Sequence, residues 1–328
     1  MNRQDPILEL QQIFKDYPLR KPHPFAAPRS VKALTGVSLS IARGETLALV
    51  GESGCGKSTL GKCVVGLQGI SDGAIRFDGI RIDGLGRGRR QAYNKQVQMI
   101  FQDPLSSLNP RKRIGDALAE PVRNYRPQLT SVQVAEEVQR LLTLVRMPVD
   151  SAGRWPHEFS GGQAQRIAMA RALASKPDLI VCDEATSALD VSIKAQIVNL
   201  LKELQAELNL ALLFISHDLG IVRSIAHRVA VMYRGTIVEQ GTGDEVFHSP
   251  QHPYSQALLS AVLPLRPGAR RTHARLEGEV PSTTADLAGC PFESRCPKRF
   301  DACSAARPPL IRLDERSDQS AACFLHGH

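Results

Sequence analysis

The run Gly51 to Thr59, GESGCGKST, constrains this chain of 328 residues more than any other feature. It fits the pattern GxxxxGK(S/T), follows a short apolar strand at 45–50 and opens a helix near Lys57. In such a loop, successive backbone N–H groups and a helix N-terminus converge on phosphate oxygens. Glycine is therefore needed wherever a side chain would block close approach. Gly51, Glu52, Ser53, Gly54, Cys55, Gly56, Lys57, Ser58 and Thr59 are the candidate nucleotide-binding residues. Lys57 reaches the outer phosphates, and Ser58 or Thr59 offers a hydroxyl to Mg²⁺. A glycine turn with an exposed lysine is the plainer alternative, and it leaves the full match in a strand-to-helix setting unexplained. The loop does not say which nucleotide enzyme this is, because many classes share it.

The rest of the chain narrows the choice. Apolar alternation at 8–14 and 31–41 reads as early strands separated by a basic, proline-rich loop, Pro18 to Ser30. A mainly helical section follows, with helical spacing at Val134, Val138, Leu141, Leu142 and Val145. Beyond Ser160 come a helix, the apolar strand Leu179 to Cys182, a helix carrying Ile193, Ile197, Leu200, Leu201 and Leu204, and the strand Leu212 to Ile215. Strands alternating with helices imply an α/β fold with a parallel sheet covered on both faces. Past Gly241 proline, histidine and arginine become frequent and regular strands fade, so a boundary falls near 245.

The strand at 179–182 delivers two adjacent carboxylates, Asp183 and Glu184, to the sheet edge beside the phosphate loop. Asp183 is suited to hold Mg²⁺ through water, and Glu184 to polarise the attacking water as general base. Without the loop upstream, such a pair would be an ordinary strand end. Phe159 to Gln163, FSGGQ, puts a serine and two glycines at a second helix start, hence a second anion-binding surface. One such surface would serve the chain's own nucleotide, and the other that of a partner subunit.

FSGGQ, 20 residues ahead of Asp183, resembles the signature motif of ABC ATPases, with Phe159 in place of the usual leucine. The resemblance implies an ABC nucleotide-binding domain over 1–245: a parallel sheet bearing the phosphate loop, an antiparallel β subdomain, and a helical subdomain at about 92–165. It also implies roles. Ser160, Gly161, Gly162 and Gln163 would contact the ATP of a partner subunit. Gln102, in IFQDP, would sense Mg²⁺ and couple to the membrane partner. Asp190, in SALD, would lie in the D-loop, His217, in ISHD, would be the catalytic switch histidine, and Tyr17 would stack on adenine. Two such domains sandwich two ATP molecules head to tail, closing on binding and opening on hydrolysis.

QDPLSSLNPRKRIG and SPQHPYSQALLSAV resemble the F-type ATPase subunits of oligopeptide and dipeptide importers, and the resemblance covers nearly the whole chain. It implies a paralogous ATPase as heterodimer partner, two permeases, an extracytoplasmic binding protein, and a peripheral place on the cytoplasmic face of the inner membrane. Relatives carrying nickel, glutathione or other small solutes leave the cargo open. The same subfamily has a cysteine-bearing extension, here 246–328, with Cys290, Cys296, Cys303 and Cys323 spaced C-x5-C-x6-C-x19-C. Four soft thiolates suit an iron–sulfur cluster or tetrahedral Zn²⁺, and unliganded cysteines are the third option. The resemblance points to a 4Fe-4S cluster. Disulfides are not expected in a reducing compartment.

Composition fits without deciding. Hydrophobic residues at 42% and charged residues at 23% describe a globular protein. No run approaches the ~20 apolar residues that cross a bilayer, and Met1 to Arg20 has no export signal pattern. A net charge of +8 would suit nucleic acid, but it is dispersed, and no nucleic-acid partner is expected. A soluble ABC ATPase of DNA repair or translation would carry two fused units or a coiled-coil arm. A kinase or GTPase would have no use for FSGGQ followed by SALD.

Overall fold

The computed structural model describes residues 5–19, 29–187, 189–260 and 288–327. β1 (Leu8–Pro18) and β2 (Ser30–Ile41) pair antiparallel from Leu8 opposite Ile41 to Pro18 opposite Ser30. Most of the expected proline-rich loop between them lies outside the described residues. β3 (Thr46–Val50) leads through the phosphate loop into α1 (Lys57–Val64). β4 (Asp72–Phe77) and β5 (Ile80–Arg81) then complete a four-stranded antiparallel sheet in the order β2-β1-β4-β5. α2 (Arg87–Gln96) runs directly into β6 (Val97–Ile100), after which α3 (Ile114–Tyr125), α4 (Ser131–Leu144) and α5 (Gly161–Leu173) form a helical insert.

The chain returns through β7 (Leu179–Asp183), α6 (Val191–Leu208), β8 (Ala211–Ile215), α7 (Leu219–Ile225) and β9 (Arg228–Tyr233). With β3 and β6 these strands make the parallel part of the main sheet, in the order β9-β3-β8-β7-β6. The central strands β3, β7 and β8 are buried along their whole length because both faces are covered, as parallel sheets require. Leu47, Leu49, Val181, Leu213 and Ile215 pack with Leu60 and Val64 of α1 on one side. Ala48, Val50, Ile180, Cys182, Leu212 and Phe214 pack with Ile167, Ile197 and Leu201 of α5 and α6 on the other. At ~1.5–3 kcal/mol for each large side chain fully buried, this double layer holds the strand ends rigidly in register. The strand ends carry the candidate site.

Two differences from the sequence reading stand out. β6 is an edge strand of the main sheet, so the helical insert begins after Ile100 and not at about 92. Its four residues, VQMI, are too few to show a period, and a helix ends immediately before them. The tail also keeps strands. After β10 (Thr236–Thr242), α8 (Gly243–His248), α9 (Pro253–Ser260) and α10 (Asp301–Ala305) come β11 (Ile311–Arg312) and β12 (Ser320–Ala321). β12 pairs with β10, which extends the main sheet antiparallel with residues of the C-terminal extension.

The extension is anchored by chemistry as well as by the ladder. The Glu239 carboxylate on β10 is fully buried and accepts from Gln251 N (2.8 Å), His252 N (2.9 Å) and Gln319 Nε2 (2.8 Å). Phe292, also fully buried, meets Tyr233 edge-on with ring centroids 5.3 Å apart and lies 5.4 Å from Tyr254. These contacts tie residues around 250, 292 and 320 to the β9–β10 hairpin.

Candidate functional site

At the C-terminal end of β3 the chain must turn sharply into α1. Gly51 makes this possible: its φ is +153°, and a Cβ there would stand 2.2 Å from the Met232 carbonyl oxygen. The loop is gripped from outside as well, since Gly235 N donates to Cys55 O at 2.8 Å. The α1 N-terminus then faces a cavity of about 430 Å³ lined by Tyr17, Val31, Ala33, Ser53, Gly54, Gly56, Lys57, Ser58, Thr59, Gln102 and Glu184. Backbone N–H groups of a helix start have no partner within the helix and favour anions.

Of the expected residues Tyr17, Lys57, Ser58, Gln102 and Glu184 line this cavity, while Asp183 and His217 do not and are joined to it through Ser58 and Glu184. Lys57 is 4% exposed, and its Nζ donates to Gly51 O (2.8 Å) and Glu52 O (2.9 Å), which fixes the ammonium across the loop. Ser58 Oγ donates to Asp183 Oδ1 at 2.7 Å. Burial pushes the Asp183 carboxyl above its ordinary range, against the pull of the Ser58 hydrogen bond. A cation beside it would restore the carboxylate, and a hydroxyl with a carboxylate is a hard oxygen pair suited to Mg²⁺. Glu184 sits at the next position with φ +48°, a left-handed backbone rare for this residue type, and its Oε1 lies 3.4 Å from His217 Nδ1. Strain of this kind concentrates where a side chain must be aimed. The Tyr17 hydroxyl donates to the Gln68 side chain, and Lys15 Nζ stands 5.0 Å from its ring centroid.

Three loop residues do not line the cavity. Cys55 is buried under the loop, Gly51 makes the turn, and the Glu52 side chain points away toward the C-terminal extension. Val31 and Ala33 line the cavity and were not singled out in the sequence, where they read only as alternating strand residues.

The residues of the expected second anion surface are elsewhere. Ser160 caps α5, accepting from Gln163 N while its own N–H donates to Gln163 Oε1 at 3.1 Å. Gly162 permits α5 to approach α6, because a Cβ there would lie 2.5 Å from Ile193 Cγ2. Ser160 and Gly161 face solvent, and Asp190 is the exposed residue preceding α6. None of Ser160, Gly161, Gly162 and Gln163 lines the phosphate-loop cavity. Gly161 shares a separate cleft with Gln102 and Leu189.

Cys290, Cys296, Cys303 and Cys323 do converge, lining one small cavity with His252, Phe292 and Phe300. Burial pushes the Cys290 thiol up to about 11 and raises those of Cys296 and Cys323. The donor set suits a soft metal, but its arrangement is not a coordination shell. Among the described residues no group of three or more His, Cys, Asp or Glu is placed to hold a metal ion. The expected 4Fe-4S cluster, and the zinc alternative, therefore find no support in the geometry.

The chain is 49% identical over 285 residues to the "Oligopeptide transport ATP-binding protein OppF" of Escherichia coli (strain K12), covering 86% of this chain and 85% of that protein. It belongs to the ABC transporter ATPases. Within this family the "Dipeptide transport ATP-binding protein DppF" of the same organism is 44% identical over 321 residues, covering 98% and 95% of the two chains. The family model "ABC transporter" matches residues 34–187, and "Oligopeptide/dipeptide transporter, C-terminal region" matches 238–303. Solved ABC cassettes share the fold: a dimeric ATP-binding cassette in a post-hydrolysis state bound to ADP and Pi has a TM-score of 0.64 at 26% identity. It covers 72% of this chain and 98% of its own. The cbiO1 cassette from Clostridium perfringens has a TM-score of 0.65 at 28% identity, with 75% and 92% covered. This ABC ATPase thus carries both the nucleotide-binding cassette and the extension of the peptide-transporter branch. Among the described residues no helix is long and apolar enough to cross a membrane.

Proposed function

We propose that this ABC ATPase powers the import of oligopeptides or dipeptides as one of two paralogous ATPase subunits. It works on the cytoplasmic face of the membrane beneath two permeases fed by an extracytoplasmic binding protein. The observation that carries the reading is the separation of its two expected anion surfaces: the phosphate-loop cavity lacks Ser160 to Gln163, of which Ser160, Gly161 and Gln163 face solvent at the start of α5. A second cassette, facing head to tail, supplies to each cavity the serine–glycine helix end it lacks. The branch of its relatives supports peptide as cargo; nickel and glutathione are the alternatives.

In this reading the loop N–H groups and Lys57 hold the phosphates, and Tyr17 stacks on adenine. Ser58, Asp183 and Gln102 hold Mg²⁺, which when bound neutralises charge on the β- and γ-phosphate oxygens. Glu184 accepts a proton from the attacking water, and His217, 3.4 Å away, orients that carboxylate toward the γ-phosphate. Ser160, Gly161, Gly162 and Gln163 contact the partner's ATP, and Asp190 lies at the seam. A groove of about 300 Å³ lined by Phe101, Glu120, Tyr125 and Arg171, one residue from Gln102, is a fitting dock for a permease. The test is reconstitution in liposomes: hydrolysis and uptake are expected to rise together with peptide-loaded binding protein. Stimulation by nickel or glutathione in place of peptide would change the cargo, and stimulation by nucleic acid alone would sink the transporter reading.

A 4Fe-4S cluster remains the reading that the resemblance and the shared lining of the four cysteines support, against the unassembled arrangement of the thiols, and its role would be to hold the extension together. Protein purified without oxygen is expected to be brown and to contain iron and acid-labile sulfide. A colourless preparation holding zinc or no metal removes the cluster.

A further inference from the structure

The Glu52 side chain, aimed away from the nucleotide cavity, is held by the extension. Arg295 Nη1 donates to Glu52 Oε2 at 2.8 Å and Nη2 to Oε1 at 3.1 Å, a two-pronged pair. The Arg295 side chain is 6% exposed, and its guanidinium also lies 3.4 Å from the Tyr233 hydroxyl and 5.9 Å from that ring's centroid. A second contact reaches the same loop residue, because Glu52 N–H donates to Tyr254 Oη at 2.9 Å. Side chain and backbone of one phosphate-loop residue are thus each fixed by a group from beyond 245. Planar, charge-assisted, bidentate pairs of this kind set orientation as well as proximity.

Docking of the extension does not depend on this pair. Phe292 in its ring cluster, the three donors to Glu239 and the β10–β12 ladder already secure it. The pair acts instead on the loop. Glu52 precedes Ser53 and Gly54, which line the cavity, and its own carbonyl accepts from Lys57 Nζ at 2.9 Å. A rotation of the Glu52 peptide would misdirect both the lysine and the N–H groups that follow. The loop lies between a strand end and α1, and Gly51, Gly54 and Gly56 make its backbone permissive. An external clamp removes that freedom before nucleotide arrives, and preorganisation of this kind raises affinity.

We propose that the C-terminal extension is a positioning element of the ATP site, with Arg295 and Tyr254 fixing the phosphate loop through Glu52. The inference rests on the nucleotide-binding reading of the cavity and deepens it: affinity for ATP is set in part by residues outside the cassette motifs. Arg295 and Tyr254 are positioning residues and touch no reacting atom.

The experiment is a titration of the purified full chain with Mg-ATP, for wild type, Arg295→Gln, Glu52→Gln, the double variant and Tyr254→Phe, each with its thermal midpoint. Arg295→Gln and Glu52→Gln are each expected to bind about 10-fold more weakly, as the loss of a charge-assisted pair implies, and Tyr254→Phe, which loses a neutral hydrogen bond, about 5-fold more weakly. The double variant should be no weaker than the worse single one, because the two residues act through one contact. Tyr254→Phe keeps the ring packing and loses only the oxygen that accepts from Glu52 N–H, so it decides the matter if Arg295→Gln does not fold. Folded Arg295→Gln, or in its place Tyr254→Phe, binding Mg-ATP within twofold of wild type overturns the proposal, as do losses that multiply in the double variant. A wild-type chain that does not bind Mg-ATP overturns the nucleotide reading itself, a result distinct from either.

Discussion

Glu184→Gln is expected to bind Mg-ATP as wild type does and to release phosphate about 10²–10⁴-fold more slowly in the assembled complex. The substitution keeps the size of the side chain and the Cβ, so the left-handed backbone at this position, φ +48°, is no more strained than before. What it removes is the basic oxygen. His217, 3.4 Å from that oxygen, can still hydrogen-bond an amide, so the geometry of the pair survives while proton acceptance does not. The proposed binding contacts lie on the phosphate loop, Lys57 and Ser58, whose hydrogen bonds to Gly51 O and Asp183 the change leaves in place. Steady-state phosphate release alongside nucleotide titration checks both halves. Wild-type turnover by the variant would remove Glu184 from the role of general base.

Legibility in the sequence followed local density of constraint. GESGCGKST was readable because the phosphate loop is contiguous and each position answers to one requirement: glycine for approach, lysine for charge, hydroxyl for the cation. The parallel strands were readable because burial on both faces makes them uniformly apolar, as in LIVCD and ALLFI. β6 was not, since Gln98 interrupts a run of four and α2 abuts it. β11 and β12 were not, because two residues carry no period; they pair with each other, and β12 joins them to β10. Tyr254 and Arg295 were invisible as site residues for a further reason. Their partner, Glu52, lies 202 and 243 positions away in the chain, and nothing local to PYSQ or ESRC announces an anionic loop residue across the fold. The four cysteines were readable as a group from spacing, whereas their final arrangement depends on how 290–323 packs against His252 and Phe292.

Lys57→Met is expected to weaken Mg-ATP binding by about 100-fold or more, since charge-assisted hydrogen bonds to phosphate are worth roughly 1.5–3 kcal/mol each. Methionine retains most of the stem that Lys57 buries, so α1 keeps its packing on the sheet and the chain should stay folded. The ammonium, by contrast, has two functions that no thioether replaces. In the proposed reading it neutralises the outer phosphates, and in the structure it bonds to Gly51 O and Glu52 O, which closes the loop on itself. Losing it opens the loop from inside, while Arg295 and Tyr254 still hold Glu52 from outside. The variant therefore separates from Glu184→Gln in kind: one binds without turnover, the other fails at binding and for that reason at turnover. Titration of folded Lys57→Met with Mg-ATP, with the thermal midpoint as control, is the measurement. Affinity near wild type would mean that the loop N–H groups alone carry the phosphates and that the buried lysine serves the loop's shape.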